Sequence, residues 1–125
     1  MNNKGQSLVT FVLLIPIIIL ILFMVYDIGS MVLLKIELNN INYLTIDYGV
    51  DKIDEINIQD KLRDMINKNN SDIDNIDISV KENKLYITLE DTLDNKISLI
   101  RKFKIKIKSS YIGYMEEDNK KIMKG

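Results

Sequence analysis

Residues Leu8–Tyr26, LVTFVLLIPIIILILFMVY, decide how the rest of the chain is read. These nineteen residues carry no charge, and as a helix they extend about 28 Å against a hydrocarbon core of roughly 30 Å. A soluble core helix would need a domain large enough to cover it on every side, and only 99 residues follow this run. The run ends in Phe23, Met24, Val25 and Tyr26, not in the small residues a signal peptidase reads, so a retained transmembrane helix is expected. Tyr26 stands where an interfacial aromatic would. Pro16, at mid-span, removes one backbone donor and is expected to kink the helix. Lys4 precedes the span and Asp27 follows it, with Lys35 the next basic residue. By positive-inside reasoning the N-terminus is cytoplasmic and the C-terminal domain extracytoplasmic, in a single-pass protein of the cell membrane.

Outward from the span the chain divides into a short cytoplasmic leader (1–7), the transmembrane helix (8–26), an amphipathic continuation (27–50), a small domain (51–115) and a flexible charged tail (116–125). Met31, Leu34, Leu38, Ile41, Leu44 and Tyr48 recur at steps of three and four, which predicts a helix continuing the span. Gly29 is its soft point and Gly49 its expected stop. A second helix is expected over Asp54–Lys68, with Ile58, Leu62, Met65 and Ile66 on one face. The period then changes to two. Ile76, Ile78 and Val80 alternate with polar residues, as do Leu85, Ile87 and Leu89, so a hairpin is expected with a Glu82-Asn83 turn and Val80 opposite Leu85. A third strand is expected after Asp94-Asn95, with Ile97, Leu99, Phe103, Ile105 and Ile107 on one face, interrupted by Arg101, and a possible extension through Tyr111–Met115. The fold class is α+β: a long helix, a short helix and a three-stranded antiparallel meander whose apolar face is covered by helix.

Composition narrows the chemistry. The chain has no Cys and no His, which removes disulfides, thiolate nucleophiles, the usual zinc ligand sets and imidazole acid-base pairs. No phosphate-binding glycine loop, G-x-S-x-G or paired-carboxylate site stands out, so neither an enzyme, a cofactor, a metal nor a small-molecule substrate is expected. Asp72, Asp74 and Asp77 lack the central Gly and terminal Glu of a calcium loop. Asn69-Asn70-Ser71 matches a glycosylation sequon by chance. The net charge of −1 hides a polarity: Asp51–Asp94 carries twelve acidic and six basic residues, Lys96–Gly125 nine basic and three acidic. Lys102, Lys104, Lys106 and Lys108 could contact a polyanion. Alternating lysines also keep an edge strand from pairing, which is the better reading, and no nucleic acid partner is expected.

The N-terminus carries the sharpest signal. Lys4-Gly5 is followed by Gln6, Ser7, Leu8, Val9, Thr10 and Phe11, then Pro16 within the apolar run, and Asp27-x-Gly29 after it. Over Lys4–Val50 this resembles the TadE-like family of tight-adherence pilus assembly proteins. The resemblance implies a minor pilin (pseudopilin) or accessory component of a type IVb pilus or related secretion system, with a structural role. Its partners would be the lipid bilayer, other pilin-like subunits with their assembly machinery, and a prepilin peptidase that cuts between Gly5 and Gln6. The family usually carries a glutamate where this chain has Thr10, so a role that does not stack onto a neighbouring amine, such as a tip or initiating subunit, is implied. The alternative is a bitopic interaction or sensor module unrelated to pili.

Overall fold

The computed structural model describes residues 3–93 and 105–125. Helix α1 spans Asn3–Asp51, 49 residues without interruption, and is therefore about 74 Å long. It runs through Pro16, Gly29 and Gly49. Gly49 was expected to end it, but no described glycine has a positive φ, and Gly49 sits inside the last turns for another reason. An ideal Cβ there would lie 2.6 Å from a Leu85 methyl and 2.9 Å from a Leu62 methyl, so the residue is a contact point between layers.

The half of α1 beyond the apolar run docks on a sheet, but not along the whole expected stripe. Leu38 and Ile41 are buried and Leu34 half-buried, as expected. Leu44 and Tyr48 are exposed, and Asn42, Thr45, Ile46, Gly49 and Val50 take the inner face. Steps of three and four from Leu38 lead equally well to Asn42, Thr45 and Gly49 as to the larger apolar residues. Close packing favours the smaller set.

Turns occupy Lys52–Asn57, with Lys52 N–H bonded to Gly49 O at 3.1 Å and Glu55 N–H to Lys52 O at 3.1 Å. Helix α2 accordingly begins at Ile58, not Asp54, and spans Ile58–Asn69. Its face is the expected one: Ile58, Leu62 and Ile66 are buried and Met65 packs against them.

Four strands follow: β1 (Asn75–Lys81), β2 (Lys84–Thr92), β3 (Lys106–Glu116) and β4 (Asn119–Lys124). They form one antiparallel meander in the order β1-β2-β3-β4. The first hairpin has the expected register, with Val80 opposite Leu85, Ile78 opposite Ile87 and Ile76 opposite Leu89. Its turn residues Glu82 and Asn83 have φ of 52° and 62°, the left-handed conformation a two-residue hairpin turn requires even without glycine. The expected flexible tail is instead a second such hairpin. Glu117 and Asp118 turn with φ of 49° and 66°, and β4 pairs back on β3 with Gly113 opposite Ile122. The sheet thus has four strands where three were expected. Of the expected third strand, Ile107 lies in β3 and Ile105 just before it, while Ile97, Leu99, Arg101 and Phe103 fall outside the described residues.

The inner face of the sheet carries Ile78, Leu85, Ile87 and Leu89, all buried, against Leu38, Ile46 and Val50 of α1 and Leu62 and Ile66 of α2. Each fully buried Leu or Ile contributes about 1.5–3 kcal/mol of transfer free energy, so this small two-layer core is the main source of stability. Opposite Leu85, Gly113 lets α1 approach β3: a Cβ there would stand 2.3 Å from Ile46 Cγ2 and 2.6 Å from Val50 Cγ2.

Candidate functional site

The candidate site is the outward side of α1, from the Lys4-Gly5-Gln6 segment to the last turns beside the sheet. The described N-terminal residues are helical from Asn3 and exposed, so Lys4, Gly5 and Gln6 lie on an accessible helical end. Gly5 has no neighbour within 4 Å of where a Cβ would stand, so nothing in the fold requires glycine there. Gln6 and Thr10, four residues apart, share a face and line a shallow groove with Ser7, Phe11 and Leu14. Phe11 is 60% exposed.

Along the following turns every residue of the most apolar window is unburied, which separates this segment from a core helix. It is long and apolar enough to cross a membrane. The exposed apolar surface does not stop where the uncharged run stops. Val32, Leu33, Ile36, Leu44 and Tyr48 remain exposed on α1 beyond Tyr26, and Tyr43, also exposed, stands edge-on to Tyr111 of β3 with ring centroids 6.3 Å apart. Val32 and Ile36 also line a shallow apolar groove with Met31 and Ile107.

Asp27 departs from its exposed neighbours. It is 4% exposed, and its Oδ1 has no hydrogen-bond partner among the described residues. Gly29 stands in the open, and Ser30 Oγ donates to Tyr26 O at 2.9 Å.

Two polar clusters fix α1 to the sheet, and neither was visible as a cluster in the sequence. Asn42, fully buried, donates through Nδ2 to Ile87 O and Ser109 O, each at 3.0 Å, so one side chain bridges β2 and β3. The Ser109 hydroxyl in turn donates to Asn39 Oδ1 at 2.7 Å. At the far end Lys120 of β4 reaches Asp47 Oδ1 at 2.9 Å and Asp51 Oδ2 at 2.8 Å. The hydrogen bonds Lys120 donates to those carboxylates, Asp51 first, raise its ammonium above its ordinary value. A polar residue at a core-facing helix position was the only signal for the first cluster. Nothing local signalled the second.

The lysine ladder is only partly within view. Lys106 and Lys108 are exposed on β3, and Lys106 lies 3.6 Å from Glu90 across the strand pair. Lys102 and Lys104 fall outside the described residues. Lys35 donates to the Lys108 carbonyl, tying α1 to the start of β3. Among the described residues no group of acidic side chains is placed to hold a metal ion, and Asp74 instead accepts the Thr92 hydroxyl at 2.5 Å. No family model, curated protein or solved structure matches this chain.

Proposed function

We propose that the chain is a membrane-anchored, TadE-like pilin subunit or accessory component, structural in role, whose α1 packs against helices of other pilin-like subunits. One observation carries this reading: the apolar exposed side of α1 outlasts the bilayer. The uncharged run accounts for roughly 30 Å of hydrocarbon, yet Val32, Leu33, Ile36 and Leu44 stay exposed on the helix beyond it. A helix that met only lipid and water would gain nothing from that surface, whereas one laid beside other helices buries it. The orientation expected from Lys4 and Asp27 puts this part of α1, and the sheet, outside the cytoplasm.

Processing separates the pilin-like reading from a plain membrane-anchored module. A prepilin peptidase would act at Gly5, where the absent side chain leaves the backbone open, and would leave Gln6 as the new terminus one helical turn from Thr10. Thr10 supplies a hydroxyl and no charge, so a freed amine at the lipid boundary would need an acidic group from another subunit. Mass spectrometry of the chain co-expressed with its cognate peptidase should find an N-terminus at Gln6 and an uncut chain in Gly5→Val. An intact N-terminus with wild-type Gly5 would leave the bitopic module as the surviving reading.

A further inference from the structure

Gly49 and Gly113 are explained by packing, since a Cβ at either would meet neighbouring methyls under 3 Å. Gly29 is not. Nothing lies within 4 Å of where its Cβ would stand, so the residue brings α1 no close contact. A glycine inside a helix costs roughly 1 kcal/mol relative to alanine, so Gly29 weakens the helix locally with no packing gain. Beside it, the Ser30 hydroxyl donates to Tyr26 O at 2.9 Å, the same carbonyl that the Ser30 backbone N–H uses in a regular helix. Back-bonding of this kind bends helices, and Gly/Ser pairs are among the few recognised causes of kinks.

The place matters as much as the residues. Before the pair lies the apolar run, which a bilayer would hold. After it, Met31 and Ile107 line one groove and Lys35 bonds the Lys108 carbonyl, so the sheet supports α1 from there onward. Gly29–Ser30 therefore lies between a segment that a bilayer would hold and one that the sheet holds, with Asp27 covered at the boundary. The two sides of the joint differ. Asp27, about 200° around the helix from Gly29, is buried with Oδ1 unpartnered among the described residues, while the Gly29 side is open. A bend can close only toward the open side, and it lifts the Asp27 side as it does so. An orphaned carboxyl oxygen is costly to keep from water, so solvating Asp27 offsets part of the bending energy.

We propose that Gly29–Ser30 is a one-way hinge on which the sheet domain tilts relative to the span, uncovering Asp27 in the tilted state. The hinge rests on α1 and its contacts with the sheet, and holds for a pilin subunit and for a plain membrane-anchored module alike.

The chain has no cysteine, so labels can be placed freely. Spin labels at Leu20→Cys in the span and Lys121→Cys on the sheet edge would be attached to the full chain in phosphatidylcholine vesicles. The pulsed-EPR distance distribution should be broad, and Gly29→Leu combined with Ser30→Ala should halve its width or more without lowering the melting temperature. Separately, an Asp27→Cys thiol should react with a water-soluble maleimide about tenfold more slowly in the Gly29→Leu background. Equal widths with and without the hinge substitutions overturn the hinge. A narrowed distribution with unchanged alkylation overturns the uncovering of Asp27.

Discussion

Asn42 and Gly113 solve the same problem by opposite means: how a helix and a sheet lie close in one fixed register. Asn42 reaches across two strands to bond the carbonyls of Ile87 and Ser109, and Gly113 removes the side chain that would hold Ile46 and Val50 away. Neither is an apolar residue of the kind that patterns a core, which is why hydrophobic periodicity passes over both. Gly113→Ala should destabilise the full chain in detergent by about 1–3 kcal/mol, as overpacking does, because two methyls must shift at once. Gly29→Ala, with open space around it, should be neutral or stabilising by up to about 1 kcal/mol. Paired denaturant titrations of the two variants test this, and equal effects would show that the Gly113 contact can relax freely.

Among the elements, the two hairpins show how far alternation can be trusted. In β1 and β2 three apolar residues per strand alternate cleanly with polar ones, so strand type, turn position and register were all readable from Ile76 to Leu89. In β4 only Ile122 is apolar among the residues facing α1, and the flanking Lys120 and Lys124 read as a solvated tail. Lys120 is held by Asp47 and Asp51 from a helix some seventy residues away, and that link belongs to the tertiary fold. The clamp has a pH signature. Because folding raises the Lys120 value, its stabilisation is complete below the ordinary lysine value of 10.5 and is lost as pH rises through the higher folded value. Lys120→Met should therefore lower the melting temperature by a constant amount from pH 7 to about pH 10, with the gap to wild type closing above that. Thermal melts across alkaline pH read this directly, and a gap that stays open well above pH 11 would mean the loss is one of packing.

At the scale of the molecule, the class and layer order followed from the change of period, 3.6 before Ser71 and 2 after it. The helix face did not, because Leu44 and Tyr48 look like core residues but point away from the sheet. Their exposure, taken with that of Val32, Leu33 and Ile36, is what supports a helix-packing role, and only the three-dimensional arrangement reveals it. The proposal for Lys4-Gly5-Gln6, by contrast, rests on local sequence alone, and the fold adds only that these residues are exposed on a helical end. The two faces of the sheet should respond very differently to charge. Ile87→Asp places a carboxylate in the fully buried core and should unfold the domain, whereas Lys106→Asp, on the exposed face, should cost no more than about 1 kcal/mol. Near-ultraviolet circular dichroism of the two full-length variants distinguishes them.

The contact of Met31 and Ile107 has a consequence for height. Met31 stands five residues beyond Tyr26, a rise of about 7.5 Å, so with Leu8–Tyr26 in a bilayer the Ile107 end of β3 would sit level with the outer edge of the lipid head groups. In that setting the domain would rest on the lipid surface, with Lys35, Lys106 and Lys108 at the end that faces it. A partner of the lower strands would then have to come down to the lipid surface to bind them. A bulky partner would meet the membrane before it met the lower strands, leaving the upper turns at Glu82-Asn83 and Glu117-Asp118 as the parts of the molecule most open to approach from outside.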